Sequence, residues 1–118
     1  MTSISARSLA VLMQGWRDLS SAPAYVALAD RMRLLILDGR IPYAARVPAE
    51  RDLATQLQIS RTTVTAAYAQ LRLAGYLEST RGSGSTAQLP AGSIAFTAAT
   101  VLLAAVLVGV ALRHRPKP

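Results

Sequence analysis

Residues 47–64 run Val47-Pro48-Ala49-Glu50-Arg51-Asp52-Leu53-Ala54, then Thr55-Gln56-Leu57-Gln58, then Ile59-Ser60-Arg61-Thr62-Thr63-Val64, and their reading decides the fold. Pro48 and Ala49-Glu50 suit the opening turn of a helix, and Leu53, Ala54 and Leu57 give it one apolar face at steps of three and four. Gln58-Ile59 then form a turn. Ser60 follows as an N-cap whose hydroxyl can accept from the backbone N–H of Thr62 or Thr63. A second helix is predicted from Arg61 to Ala74, with Val64, Ala67, Tyr68 and Leu71 inward and Gly75 ending it. Two helices separated by so tight a turn form a helix-turn-helix.

Outward from this core, Ala24 to Asp38 predicts an earlier helix with Tyr25, Leu28, Ala29, Met32, Leu35 and Ile36 on one face and Gly39 just past its end. Arg40 to Val47 reads as a loop. Ser8 to Leu19 carries a helical stripe of Leu9, Leu12, Met13, Trp16 and Leu19, broken by Ser20-Ser21-Ala22-Pro23. Trp16 and Tyr25 read as anchors between these two helices. Downstream, Tyr76 to Ser79 and Ser85 to Gln88 are short extended segments around Arg81-Gly82-Ser83-Gly84, a β-hairpin pattern. The fold class is therefore mainly α with a small β-wing: a winged helix-turn-helix. The expected organisation is an N-terminal helical extension (1–22), a winged-helix domain (23–89), a linker (90–93), a hydrophobic helix (94–112) and a basic tail (113–118).

The 118 residues leave room for one small domain and a tail. Without cysteine there are no disulfides, thiolate nucleophiles or Cys-based metal sites, and with His114 as the one histidine a His-rich metal site is excluded. Lys117 is the single lysine, so no Schiff-base lysine lies in the body of the chain. The acidic residues are scattered, and Glu50 and Asp52 read as complements to the positive end of their helix rather than as a catalytic pair. Gly82-Ser83-Gly84 without a following lysine is no phosphate loop. The expectation is a protein that is not an enzyme and carries no cofactor and no metal.

Its net charge of +7 coexists with a mean hydropathy of +0.31, an odd pairing for a basic domain. Residues 1–93 hold ten arginines against six acids, net +4, and Arg113, Arg115 and Lys117 supply the other +3. Between them, Ile94 to Leu112 is uncharged. A basic domain with Ser60, Arg61, Thr62, Thr63 and Thr65 crowded at one helix start points to double-stranded DNA. That end of a helix-turn-helix enters the major groove, where arginine bonds guanine and threonine meets a thymine methyl or a phosphate. Arg51 and the hairpin-tip Arg81 are placed to hold the flanking backbone.

These residues resemble a known family. Val47 to Ala54, Ile59 to Val64, Leu71 to Leu77 and Gly82-Ser83-Gly84, in order over about residues 24–88, are similar to the GntR-type winged-helix transcription regulators. The segment Val64 to Tyr68, the wing and the Trp16 helix look most like the MocR-like branch, whose members add a large aminotransferase-like domain that binds pyridoxal phosphate. The resemblance implies DNA contacts from Arg51, Ser60, Arg61, Thr62 and Thr63, with Arg81 and Gly82 at the wing tip, and a homodimer on a pseudo-palindromic site. Two positions depart from the pattern. Ala44 stands where the family usually has glycine, which predicts a looser turn, and Thr65 stands where many relatives have arginine. With no lysine before Lys117 and 30 residues after Gln88, the pyridoxal-phosphate function is not carried over.

Nineteen helical residues from Ile94 to Leu112 would reach about 29 Å, close to the thickness of a bilayer core, so the segment reads as a transmembrane helix with Arg113, His114, Arg115 and Lys117 among lipid headgroups. Ala105 and Gly109 form a small-xxx-small pair that would let two tails pack. The basic cap favours a cytoplasmic C-terminus, whereas DNA binding requires the N-terminal domain on that side. The run Leu9 to Met13 is too short for a secretory signal, which keeps the domain in the cytoplasm, anchored to the inner face of the membrane. The alternatives are a helix packed on the domain or in a dimer, a truncated piece of a pyridoxal-phosphate-binding MocR-like regulator, and a membrane-associated winged-helix adaptor for other proteins.

Overall fold

The structure, a computed structural model, describes residues 2–18, 20–80, 82 and 84–90. Four helices, α1 (Ala6–Leu12), α2 (Ala24–Leu37), α3 (Glu50–Leu57) and α4 (Arg61–Ala74), precede an antiparallel hairpin of β1 (Leu77–Thr80) and β2 (Gly84–Ala87). The hairpin runs in register from Leu77 opposite Ala87 to Thr80 opposite Gly84. Its free edge is covered. Arg46 bridges antiparallel to Thr86 and parallel to Ser3, so the N-terminal residues and the segment before α3 add two rungs beside β2. Val47 N–H donates to Ser85 O at 3.0 Å and Ala87 N–H to Ala45 O at 2.8 Å, tying the entry of α3 to the wing.

α4 lies at the centre, packed on α2, α3 and β1. Its inward set is Val64, Ala67, Tyr68 and Leu71, the face read from the periodicity. Together with Leu9, Met13, Leu28, Met32 and Ile41 from the other segments, and Leu53 from α3, these residues close one core. Each fully buried aliphatic side chain contributes roughly 1.5–3 kcal/mol relative to exposure. Ser60 caps α4 as expected: its Oγ accepts from Thr63 N–H at 3.2 Å. At the other end Gly75 takes φ +87, which lets the chain turn directly into β1 while Tyr76 N–H returns to Leu71 O.

Two expectations need correction. The first helix stops at Leu12 rather than continuing to Leu19, because Gly15 adopts φ +79, a conformation that no helix interior accommodates. Met13 and Trp16 still reach the core through the turns that follow, and Leu19 lies outside the described residues. α1 packs on α3, and Arg31 of α2 donates from Nη2 to Leu12 O at 3.2 Å, satisfying one carbonyl at its end. Tyr25, the other expected anchor, is instead 41% exposed. Ala27 occupies the inward position on that turn, with Leu28 and Ala29 beside it.

The loop before α3 also differs from its reading. Ala44 does not loosen the turn; it adopts φ +66, and its N–H donates to Ala87 O at 2.7 Å. Gln58, in the turn between α3 and α4, likewise takes φ +56 as the left-handed cap of α3. The long-range bond from Ala44 to Ala87, and for Gln58 the local bond from Ile59 N–H to Ala54 O, hold the two residues in a region that costs an L-residue about 1–2 kcal/mol. Among the described residues no helix is long and apolar enough to cross a membrane, and the segment 94–112 and tail 113–118 lie outside them.

Because glycine enters the left-handed region without that strain, Ala44→Gly and Gln58→Gly are each expected to stabilise the domain by about 1 kcal/mol despite glycine's larger unfolded-chain entropy. In thermal melts followed by circular dichroism, each should raise Tm by several degrees. A lowered Tm for Ala44→Gly would mean that its φ carries no strain.

Candidate nucleic-acid interface

The tight turn at Gln58 directs the N-terminal end of α4 outward beside the start of α3. Ile59 N–H closes the turn on Ala54 O at 3.1 Å. Ser60, Arg61, Thr62 and Thr65 are exposed there and Thr63 is half-buried. Ser60 and Thr63 share a second bond between their hydroxyls at 2.8 Å, so this pair fixes the helix start and leaves Arg61 and Thr62 as the side chains most free to reach a ligand. Arg51 is exposed in the first turn of α3, where Thr55 Oγ1 donates to its backbone oxygen at 3.0 Å. Gly82 is exposed at the tip of the wing, while Arg81 and Ser83 lie outside the described residues.

These elements enclose a groove of about 500 Å3 lined by Arg46, Arg51, Arg61, Tyr68 and the start of β2 at Gly84-Ser85. No carboxylate among the described residues lies within ion-pair distance of Arg46, Arg51 or Arg61; the pairs formed are Arg33–Asp30, Arg40–Asp38 and Arg72–Glu50. The groove therefore presents arginines that make no direct ion pair among the described residues, although Glu50 and Asp52 also line it. Backbone N–H groups at the start of α4 add to its preference for an anion.

Glu50 stands apart from the cations around it. Thr65 Oγ1 donates to Glu50 Oε2 at 2.6 Å, and Arg72 Nη2 lies 4.0 Å from Glu50 Oε1 while its Nη1 donates to Ser85 Oγ at 3.3 Å. A chain of polar contacts thus runs from α3 across α4 to the wing. Thr65 was read as one of the DNA-facing residues; its hydroxyl proton is engaged by Glu50, which leaves its lone pairs and methyl for another partner. Glu50 does sit in the first turn of α3, as read, but its bridging role had no signal in the sequence, since the contact spans 15 positions. Arg46 likewise carries no sequence signal, since it lies in what reads as a loop, where no periodicity assigns a face.

Beneath the groove, Tyr68 donates its phenol to Pro48 O at 2.7 Å. Burial, and then the neighbouring Glu50 carboxylate, push the Tyr68 phenol well above its ordinary value, with Arg72 acting in the opposite sense.

Comparison with known proteins gives the arrangement a context. The family model described as "Bacterial regulatory proteins, gntR family" matches residues 24–86. The chain is 42% identical over 59 residues to the HTH-type pyridoxine biosynthesis transcriptional regulator PdxR of Corynebacterium glutamicum, covering 50% of this chain and 13% of that protein. It is 37% identical over 76 residues to the probable rhizopine catabolism regulatory protein MocR of Rhizobium meliloti, covering 64% of this chain and 15% of that one. It thus spans about a seventh of the length of these relatives. The described domain also superposes on the DNA-binding domain of AraR, solved in complex with operator ORR3, with a TM-score of 0.53, 28% identity, and coverage of 58% of this chain and 82% of that one.

Removing the Tyr68 hydroxyl leaves Pro48 O without its donor, so Tyr68→Phe should cost about 1–2 kcal/mol in urea unfolding at neutral pH. The raised phenol also sets a sign for alkaline pH. Above the unfolded value of about 10, the unfolded chain loses the Tyr68 proton while the folded chain retains it, so stability falls as pH rises. Tyr68→Phe should therefore lose less stability than the wild type between neutral pH and pH of about 11; equal losses would show that this phenol contributes nothing to the alkaline slope.

Proposed function

The chain belongs to the GntR family of bacterial regulatory proteins, and from that membership we propose that it is a sequence-specific transcription regulator that binds double-stranded DNA through the exposed start of α4. The observation that carries the reading is the groove itself. Arg51 and Arg61 line it without a carboxylate partner among the described residues, at a helix start where Arg61 and Thr62 are exposed. A duplex supplies what this surface lacks, namely phosphate oxygens at the groove walls and base edges for α4.

In this proposal Arg61 reads a base, with guanine O6 and N7 as the acceptors that suit a guanidinium fork. Thr62 and Thr65 meet a thymine methyl or a phosphate, Ser60 and Thr63 hold the helix end in place, and Arg51 grips the backbone. Arg81 and Gly82 at the wing hold the flanking phosphates. Two copies bind a pseudo-palindromic site, which is the arrangement that a helix-turn-helix dimer imposes on its operator. For residues 94–112 the proposal is attachment to the membrane, supported by nineteen consecutive uncharged positions and the basic cap that follows.

Selection from a randomised duplex library supplies the operator. On the selected site, Arg61→Ala should weaken binding by roughly tenfold or more and relax preference at one base pair, whereas Arg81→Ala should weaken all sequences by a similar factor. Unchanged operator affinity for Arg61→Ala would overturn the assignment of α4, and a wild type with no salt-dependent affinity for any duplex would favour the adaptor. The tagged chain should sediment with membranes, and the chain lacking residues 94–118 should not; equal partitioning would remove the anchor.

A further inference from the structure

We infer that Arg46 is a further phosphate-binding residue, placed to hold the duplex backbone on the wing side of the groove that α4 enters. Its backbone is fully committed. Arg46 N–H donates to Thr2 O at 2.8 Å, its carbonyl accepts from Ile4 N–H at 2.9 Å, and it pairs across to Thr86, so the residue is locked as the middle rung between the N-terminal segment and β2. The side chain is exposed and makes no hydrogen bond or ion pair among the described residues. It runs over the start of β2: an ideal Cβ at Gly84 would lie 3.5 Å from Arg46 Nε and 3.8 Å from its Nη2. A Cβ there would be in ordinary van der Waals contact with the guanidinium, so what position 84 asks of glycine is its φ of +77.

Arg51 and Arg61 line the same groove, so three arginines from three elements border it: the rung before α3, the first turn of α3 and the start of α4. The acids that also line it are Glu50 and Asp52. Glu50 points its oxygens at Thr65 and Arg72, and among the described residues Asp52 makes no ion pair with an arginine within 4.0 Å. A rigid backbone beneath an uncommitted guanidinium costs little further ordering when a phosphate arrives, and the planar fork suits two phosphate oxygens. Arg46 lies on the wall rather than on α4, so it contacts the sugar–phosphate chain and not base edges.

The inference rests on the DNA-binding reading, and the experiment separates the two. Binding of the full chain to a mixed-sequence duplex is followed by fluorescence anisotropy over a series of salt concentrations for the wild type, Arg46→Gln, Arg46→Lys and Arg33→Gln. The last is a control with the same net charge change on α2, where Arg33 pairs with Asp30. Each phosphate contact contributes about 0.9 to the slope of log K against log salt. Arg46→Gln should reduce that slope by about one contact and raise Kd several-fold, Arg46→Lys should restore the slope, and Arg33→Gln should leave it unchanged. Base preference should be unaltered in all of them. An unchanged slope for Arg46→Gln overturns the role of Arg46, and if its Tm falls as well, the side chain serves to cover Gly84. A wild type whose affinity for duplexes is independent of salt overturns the DNA reading itself, and Arg46 with it.

Discussion

The seam between α3 and α4 is the constraint on which the rest of the domain depends. It is closed at its base by the Tyr68 phenol on Pro48 O and near the surface by Glu50, which receives the Thr65 hydroxyl and faces Arg72. Neither α3, with eight residues, nor the turn that follows it would hold its geometry alone, because so short a helix is marginal in water. Leu53 and Ala54 supply the apolar contact with α4, but that contact is non-directional. The hydrogen bonds supply direction, fixing how far α3 is rotated and hence where Arg51 stands relative to Arg61. Arg72 then carries the constraint to Ser85, so the wing, α3 and α4 are set against each other by one connected set of polar contacts.

Much of this was legible in the sequence where a local rule was decisive. The inward face of α4, the Ser60 cap, the Gly75 stop and the hairpin after it each follow from the identity and spacing of a few neighbouring residues. Periodicity does not reveal where the backbone leaves the helix. Met13 and Trp16 sit at helical spacing and are buried, yet Gly15 between them breaks α1, because apolar spacing reports which residues face inward and not the path that brings them there. Tyr25 shows the converse error: a large side chain at the right spacing on the first turn of a helix can remain outside when a small one, Ala27, fits closer.

Long-range polar contacts were not legible at all. Glu50 to Thr65 spans 15 positions and Tyr68 to Pro48 spans 20, and no composition or period predicts such partners. The same holds for the edge rung at Arg46, whose neighbours Ser3 and Thr86 are distant in the chain on both sides. The N-terminal residues therefore belong to the wing sheet as much as to α1, an association that a segment-by-segment reading has no means to detect.

The placement of an acid inside an arginine-lined groove has a physical logic. Three uncommitted guanidinium groups would repel one another if they faced the groove with no negative charge between them, and a domain of this size has little core with which to offset that cost. Glu50 and Asp52 lower the local field, and at the first turn of α3 they also complement the helix dipole. The cost is some attraction for phosphate, but it is confined, because the Glu50 oxygens are engaged by Thr65 and Arg72. Aspartate at position 50 would be one methylene shorter and could not keep both partners. Glutamine would keep the length and lose the charge that faces Arg72. The residue thus reconciles two demands that arginine alone cannot meet, a groove positive enough to attract an anionic polymer and a set of helices that tolerates that charge when the groove is empty.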